Sequence, residues 1–420
     1  MERNIKLFPI YKLFSYDILF FYAIQTLYLM EIKNLTISQI GMISSFYCLF
    51  YLITTIPASI ICDKLGLKKS LLIGNLLLVI YCIFLMILPS YNFLILNELI
   101  CSIGFALKGC AESPFIYSSL KKVKREDELS KVEGKGDSLY FILEAVACII
   151  AGYLYNIDSY LPLIFSTLCF AISSILCYTF KPIPRNNKNT SAKSYFGELK
   201  SGFKFIFKSK RLRALLLFSL VFVSNFYVAS FLLKAFLSDL NTSSQVFGYI
   251  YALMSVSSAL GALVQRKVEK KLKNHTLTSI ALIFITTIVF TGIFMFFGIP
   301  TDTLIIIGTV FFCTQALIKG MFWIIIKTYL SRYTTSSIRP KIMSIYNLVR
   351  NFGTFAFLSL VTPLVDIISL PLCFVLVGFA FFIIIILVAA YMNNKVGLDP
   401  SKYTEKDRFD LKEQNITSNK

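Results

Sequence analysis

Long apolar runs alternate with short polar segments along most of the chain. Twelve of these runs reach roughly 20 residues, the length that an α-helix needs to cross a bilayer at about 1.5 Å per residue. The segments between them are short and rich in charged or turn-forming residues. The pattern therefore predicts membrane-spanning helices over 8–30, 40–62, 69–89, 92–117, 136–155, 161–180, 213–237, 244–266, 276–298, 303–328, 341–365 and 370–392.

The placement of positive charge predicts the orientation of these helices. The chain has 42 Lys and Arg against 23 Asp and Glu, a formal net charge of +19. All but five of the 42 lie in the termini, in loops on one predicted side, or at bordering span ends. The five are Lys33, in a loop on the other side, and, within spans, Lys108, Lys234, Lys319 and Arg350. Because basic loops stay cytoplasmic, we expect a multi-pass cell-membrane protein with both termini inside, and no nucleic-acid partner.

The longest loop divides the predicted spans six and six. It separates an N-terminal half, 1–180, from a C-terminal half, 213–392, and a polar tail over 393–420 is expected to be disordered. Within this linker, 181–212, apolar residues recur at helical spacing among lysines, which predicts an amphipathic helix on the inner leaflet. Those residues are Phe196, Leu199, Phe203, Ile206 and Phe207.

A tight charged turn joins the second and third predicted spans. The apolar run ends at Cys62, and Asp63, Lys64, Gly66 and Lys68 follow before the next run. This stretch resembles the G-x-x-x-D-[RK]-x-G-[RK]-[RK] loop of the major facilitator superfamily, with departures at two of its positions, Ser59 and Leu67. The resemblance implies a gating loop of Asp63, Gly66 and Lys68 that latches the two halves. The alternative is an ordinary positively charged cytoplasmic turn.

The fourth predicted span and the loop after it carry a second resemblance. They are similar to E…G-x-x-x-S-G-x-x-E-A…Y-D-S-L followed by R-E-D, found in a branch of that superfamily common in Gram-positive bacteria. The matching residues are Glu98, Gly104, Gly109, Glu112, Tyr117, Ser119, Leu120, Arg125, Glu126 and Asp127. The departures are Lys108, Ser113 and Ser118. The resemblance implies an all-α membrane protein with twelve transmembrane helices in two six-helix halves, related to drug and small-molecule exporters.

Ionisable residues inside spans are the candidates for chemistry, because each costs roughly 2.5–3.5 kcal/mol to insert. Lys108 and Glu112 are four residues apart and share a helix face. Either Glu112 is a proton site tuned by Lys108, or the two form a structural ion pair. Asp17, Glu144 and Lys319 are further proton or substrate candidates, and Lys319 could instead neutralise a buried acid. Glu98, near an outer helix end, could simply be hydrated.

The favoured function is a secondary active transporter. We expect a monomeric, proton-coupled exporter that moves a small, partly apolar compound such as an antibiotic through a cavity between the halves. Only the last glycine of the antiporter pattern G-P-x-x-G-G is present, at Gly152, so the direction stays open. One alternative is a proton-coupled nutrient importer, whose substrate could be a zwitterion because the predicted spans contain equal numbers of acids and bases, four of each. The other is a membrane sensor without transport.

An enzyme is not expected. The chain has a single histidine, His275, in a basic loop, and its ten cysteines lie in or beside apolar runs without a C-x-x-C pair. It contains no G-x-x-x-x-G-K-[ST] phosphate-binding motif. We therefore expect no cofactor and no metal site, and energy supplied by an ion gradient.

Overall fold

The computed structural model describes residues 1–183, 192–272, 275–332, 334 and 339–392, and its regular secondary structure in this part of the chain is helical, with no strand. Its α-helices are α1 (Glu2–Ser15), α2 (Gln25–Glu31), α3 (Ile37–Leu65), α4 (Leu67–Ile87), α5 (Tyr91–Lys121), α6 (Leu129–Ile157), α7 (Leu161–Thr179), α8 (Ala192–Lys208), α9 (Lys210–Asp239), α10 (Ser244–Leu272), α11 (Thr276–Phe296), α12 (Thr301–Arg332), α13 (Arg339–Val361), α14 (Leu364–Ile367) and α15 (Leu370–Met392). The expected disordered tail lies outside the described residues.

Eleven helical segments among the described residues are long and apolar enough to cross a membrane. They account for every predicted span except the first, so the all-helical, multi-span fold is confirmed. The prediction of one continuous helix over 8–30 is wrong. The chain leaves the helix after Ser15, forms turns over 16–24, and resumes a helix at Gln25.

The interruption has causes that hydropathy does not reveal. The segment 16–24 contains neither glycine nor proline. Instead, the Asp17 carboxylate accepts a hydrogen bond from the backbone N–H of Ile18, at 2.8 Å. The hydroxyl of Ser166 accepts another from the backbone N–H of Phe21, at 3.0 Å. Side-chain acceptors of this kind compete with the helical ladder for backbone donors, which stabilises the turn conformation.

The chain divides into two compact units, which are described separately. Unit 1 contains Met1–Ala192 together with Asn241–Val256, the first half of α10. In it, α4 packs against α5 and α7, α3 packs against α5, and α1 packs against α6 and α7. A side chain at Gly74 would come within 2.9 Å of the carbonyl oxygen of Gly104, so α4 and α5 touch through their backbones.

The N-terminal residues are built into unit 1. Asn4 is fully buried; its amide nitrogen donates to the carbonyl oxygen of Lys181 at 3.0 Å, and its amide oxygen accepts from the N–H of the same residue at 2.8 Å. This pair fixes the chain where it leaves α7. The first helix begins at Glu2, six residues before the start of the predicted span.

Unit 2 contains Lys193–Leu240 and the described residues between Ser257 and Met392. There α9 packs against α13 and α15, and α11 packs against α15 and α12. Phe222 lies at the centre of an aromatic cluster, with ring centroids 4.9 Å from Phe226, 5.5 Å from Phe284 and 4.7 Å from Phe322. These rings fix α9 against α11 and α12.

A helix, α8, occupies the linker where the sequence pattern placed an amphipathic one. Leu199 and Ile206 are buried, and Gly202 lies directly against Ile345 of α13. Phe203 and Phe207 remain exposed beside them. Part of the apolar face of α8 is therefore covered by unit 2 itself, and contact with the inner leaflet stays a prediction that would involve the two exposed phenylalanines.

Candidate functional site

A buried lysine holds the broken end of α1. The side chain of Lys108 is 3% exposed, and its Nζ donates to the carbonyl oxygen of Ser15, the last residue of α1. The last carbonyls of a helix lack internal partners and carry partial negative charge, so a cation is favourable there. The rings of Phe105 and Phe170 lie 4.8 and 5.4 Å from the Nζ. Lys108 therefore neutralises a helix end inside the membrane region.

Glu112 lies at one end of a series of hydrogen bonds whose other end is Ser15. Its Oε1 accepts a hydrogen bond from the hydroxyl of Tyr11 at 3.0 Å. The amide of Asn75 donates to Tyr11 Oη at 3.3 Å, and the hydroxyl of Ser15 donates to Asn75 Oδ1 at 2.9 Å. These hydrogen bonds link the half-buried carboxylate of Glu112 to the interruption of the first membrane segment.

The direct ion pair considered for Lys108 and Glu112 does not form among the described residues. The two side chains share a face of α5, but Tyr11 binds the carboxylate and the Ser15 carbonyl binds the ammonium group. The sequence alone could not show this, because the competing partner appears only when α1 ends early. The charge of Glu112 still acts on Lys108 electrostatically.

A second carboxylate cluster lies beside the interruption. Glu144 of α6 accepts hydrogen bonds from the hydroxyl of Tyr140 at 2.9 Å and from that of Ser255 at 3.1 Å. The ring of Tyr16 stacks on that of Tyr140 with centroids 4.3 Å apart. Asp17 follows Tyr16 in the interrupted segment, and both Asp17 and Glu144 act electrostatically on Tyr140. Two of the predicted candidates are thus brought into one neighbourhood.

Close backbone contact holds the first half of α10 against α6 in this unit. A side chain at Gly248 would come within 2.5 Å of the carbonyl oxygen of Cys148. The hydroxyl of Ser244 donates to the carbonyl oxygen of Gly152 at 2.9 Å. This contact between α10 and α6 places Ser255, further along α10, within hydrogen-bonding distance of Glu144.

Two other intramembrane charges lie elsewhere. Lys319 is exposed on α12 of unit 2, and it makes no ion pair with any residue that the structure describes. Glu98 is only 6% exposed and accepts a hydrogen bond from Tyr81 at 3.0 Å. The expectation that Glu98 could simply be hydrated is therefore wrong, because α4 covers it and supplies a phenol donor.

The predicted gating loop is short and tied to its own unit. Gly66 separates α3 from α4 with φ 87° and ψ 153°, a conformation nearly confined to glycine. Asp63 is exposed at the end of α3. The Nζ of Lys68 donates to the carbonyl oxygen of Tyr178 at 2.8 Å, close to the end of α7. A latch between the halves stays a prediction.

Replacing Gly66 with alanine is expected to destabilise the protein by about 1–3 kcal/mol, because a Cβ is strained in that backbone region. Gly134 is the matched control, since it is helical and open, and alanine there should be neutral or slightly stabilising. Thermal unfolding of the two purified variants in detergent measures the difference. Equal midpoints would contradict the assignment of the turn to Gly66.

The R-E-D stretch, Arg125-Glu126-Asp127, is held in position by ion pairs of its arginine. Arg125 contacts both carboxylate oxygens of Glu128 at 2.7 Å, and its Nη1 lies 3.2 Å from Glu2 at the start of α1. Hydrogen bonding to Glu128, with a smaller contribution from Glu2, raises the pKa of the Arg125 guanidinium above its ordinary value. The loop after α5 is in this way fastened to the first helix.

Sequence reasoning missed the neutral members of the site: Tyr11, Ser15, Asn75, Tyr140 and Ser255. Asn75 was the available indication, because an asparagine is an unusual residue in the middle of an apolar run. The others look like ordinary helix-packing residues until the interruption of α1 is known.

Among the described residues, eleven apolar helices of membrane-spanning length, with half-buried carboxylates beside a broken first segment, indicate an integral membrane protein. The sequence matches the Major Facilitator Superfamily over residues 7–319, and the chain belongs to that family. It is accordingly a multi-pass membrane transporter and not an enzyme.

Similar proteins agree with this assignment. The Bacillus subtilis (strain 168) protein named uncharacterized MFS-type transporter YxaM is 24% identical over 343 residues, which cover 79% of this chain and 82% of that protein. The nucleoside transporter NupG superposes with a TM-score of 0.71 at 16% identity, over 93% of this chain and 99% of that one. A D-xylose-proton symporter superposes with a TM-score of 0.68 at 15% identity, over 96% and 99%. At these identities the two structures show the fold alone.

Proposed function

We propose that this protein is a proton-coupled exporter of a small, partly apolar compound such as an antibiotic, acting as a monomer in the cell membrane with both termini in the cytoplasm. The observation that carries the proposal is the interruption of the first membrane segment over 16–24, which contains Asp17 and contacts Tyr140, the partner of Glu144. Non-helical backbone at membrane depth is tolerated where it is covered by protein or lines a water-filled cavity. In secondary transporters, broken helices of this kind commonly form substrate and ion sites.

Glu112 is the proposed proton site. It is half-buried, and it is connected to the interruption through Tyr11, Asn75 and Ser15. A carboxylate in such a place can exchange a proton as its surroundings alternate between dry and hydrated. The Gram-positive exporter-like setting of Glu112 on α5 supports the same choice.

Lys108 offers a physical route for coupling. The charges of Glu112 and Asp17 both act on its ammonium group, with that of Glu112 the larger. When Glu112 takes up a proton, Lys108 loses one of the two acidic charges that act on it and keeps Asp17 and the carbonyl oxygen of Ser15. Protonation therefore changes the interruption where substrate would bind, and by linkage substrate binding changes proton affinity by the same factor.

Import is the second candidate. The fold is shared with a D-xylose-proton symporter over most of the chain, and nothing in unit 1 fixes a direction. The membrane potential contributes about 2.3 kcal/mol per charge per 100 mV, so a proton gradient could drive transport either way.

Direction-resolved flux tests the proposal. A resistance screen of cells expressing the protein first identifies a compound, which is then offered to inverted and right-side-out vesicles with an imposed pH gradient. Export predicts accumulation in inverted vesicles that an uncoupler abolishes. Accumulation only in right-side-out vesicles would replace export with import, and absence of flux in both, for every compound tested, would favour a sensor.

A further inference from the structure

Two cysteines meet in the interface between α3 and α5 of unit 1. The thiol of Cys62, on α3, donates to the carbonyl oxygen of Leu107 on α5 at 3.5 Å. The thiol of Cys110, on α5, donates to the carbonyl oxygen of Thr55 on α3 at 3.9 Å. The two thiols also make a side-chain hydrogen bond with each other. Each sulfur therefore reaches across the interface, and the two are in direct contact.

The two members of this pair differ in exposure. Cys62 is only 4% exposed, whereas Cys110 is half-buried. Cys62 precedes Gly66, the residue after α3, by four positions, which is about 6 Å along the helix axis. Asp63 and Lys64 are exposed between them. The pair therefore lies near the polar end of the interface, with one thiol accessible and the other covered.

An accessible thiol in contact with a covered one is suited to forming a disulfide in two steps. Hydrogen peroxide first oxidises the accessible thiol to a sulfenic acid and releases one water molecule. The covered thiol then attacks the sulfenic sulfur, so that an S–S bond forms and the sulfenic oxygen leaves as a second water molecule. The peroxide accepts two electrons, which come from the two sulfurs, and no other reagent is needed.

We propose that Cys62 and Cys110 form a site of oxidative modification by hydrogen peroxide, in which Cys110 is oxidised first and Cys62 closes a reversible disulfide between α3 and α5. This bond joins the helix that ends at the Gly66 turn to the helix that carries Glu112. A small thiol reverses the modification by disulfide exchange. The reaction needs neither a substrate nor a proton gradient, so it is independent of the proposed transport function.

Thiol counting with peptide mapping tests the pairing. Purified full-length protein in detergent is reduced, freed of reductant, treated with hydrogen peroxide, and then denatured and alkylated with N-ethylmaleimide. Untreated protein should take up ten maleimides, one for each free cysteine, and treated protein should take up eight, because two thiols are joined. Digestion should give one linked pair of peptides, those of Cys62 and Cys110, and dithiothreitol should restore the count of ten. An unchanged count, or a link between other cysteines, would overturn the proposal.

Two serine variants test the order of the steps. In Cys62→Ser the accessible Cys110 still reacts but has no thiol to resolve it, so dimedone should trap a sulfenic acid at Cys110. In Cys110→Ser the covered Cys62 should stay reduced, without a disulfide and without a dimedone adduct. Equal dimedone labelling of the two variants would contradict the assigned order. A new disulfide in either variant would contradict the pairing.

Cys82 and Cys101 provide the matched control. They lie on the neighbouring helices α4 and α5 and act on each other electrostatically, but both are buried. Cys82→Ser should therefore lose one maleimide before and after peroxide and keep the disulfide between Cys62 and Cys110. Loss of that disulfide in Cys82→Ser would remove the specific role of the pair. The peptide map of the unmodified protein decides the pairing even where a serine variant fails to fold.

Discussion

Lys108→Met should destabilise the protein by about 1–3 kcal/mol and remove transport, because it leaves the carbonyl oxygen of Ser15 buried without its donor. The loss of stability should come from the missing hydrogen bond and not from a cavity, since methionine fills much of the same volume between Phe105 and Phe170. Thermal unfolding in detergent gives the stability, and vesicle flux gives the activity.

Lys33→Met is the control for the Lys108 prediction. Lys33 also donates to backbone carbonyls, those of Met86 and Leu88 at 2.8 and 3.0 Å, at the end of α4. It lies outside the spans, where burial only partly desolvates it and lowers its pKa. We expect a smaller loss of stability and normal transport, because water can replace the lysine there.

The double variant Lys108→Met with Glu112→Gln separates two accounts of the buried lysine. If the two charges mainly neutralised each other, removing both should restore stability. In the structure Lys108 binds Ser15 and Glu112 binds Tyr11, so the double variant should stay as unstable as Lys108→Met. Full recovery would contradict the helix-end role.

Glu112→Gln should abolish proton-driven accumulation while leaving substrate binding measurable. Glutamine keeps the oxygen that accepts from Tyr11, so the local contacts survive. It cannot release a proton, so the coupled step is lost. Accumulation under an imposed pH gradient and equilibrium binding of the same compound are the two measurements.

Glu98→Gln is the matched control for Glu112. Glu98 also lies on α5 and also accepts from a tyrosine hydroxyl at 3.0 Å, but its partner is Tyr81 on α4 and not Tyr11 of α1. We expect this variant to retain proton-driven accumulation. Equal loss in both variants would show that both acids on α5 are needed, and would remove the specific role of Glu112.

The helical fold was predictable because long apolar runs and basic loops are properties of composition along the chain. The turn at Gly66 was predictable for a similar reason, since a glycine between two charged helix ends indicates a reversal. The interruption after Ser15 was not, because Tyr16 to Ile24 are as apolar and aromatic as a continuous helix would be. It depends on Lys108 and Ser166 from other helices, and a pattern in one segment cannot reveal such partners.

The candidate site was predicted in part. The intramembrane acids on α5 and α6 were found because charge in an apolar run is conspicuous. Their donors were not, because a tyrosine such as Tyr11 or Tyr140 gives no indication of whether its hydroxyl faces a carboxylate.

Substrate-linked proton movement tests the central claim most directly. Purified protein is reconstituted in vesicles containing a pH-sensitive dye, and a gradient of the transported compound is imposed without any initial pH difference. Coupling through Glu112 predicts proton movement opposite to the substrate in the unmodified protein and in Glu98→Gln, and none in Glu112→Gln. Substrate movement without protons in the unmodified protein, or unchanged proton movement in Glu112→Gln, would contradict it.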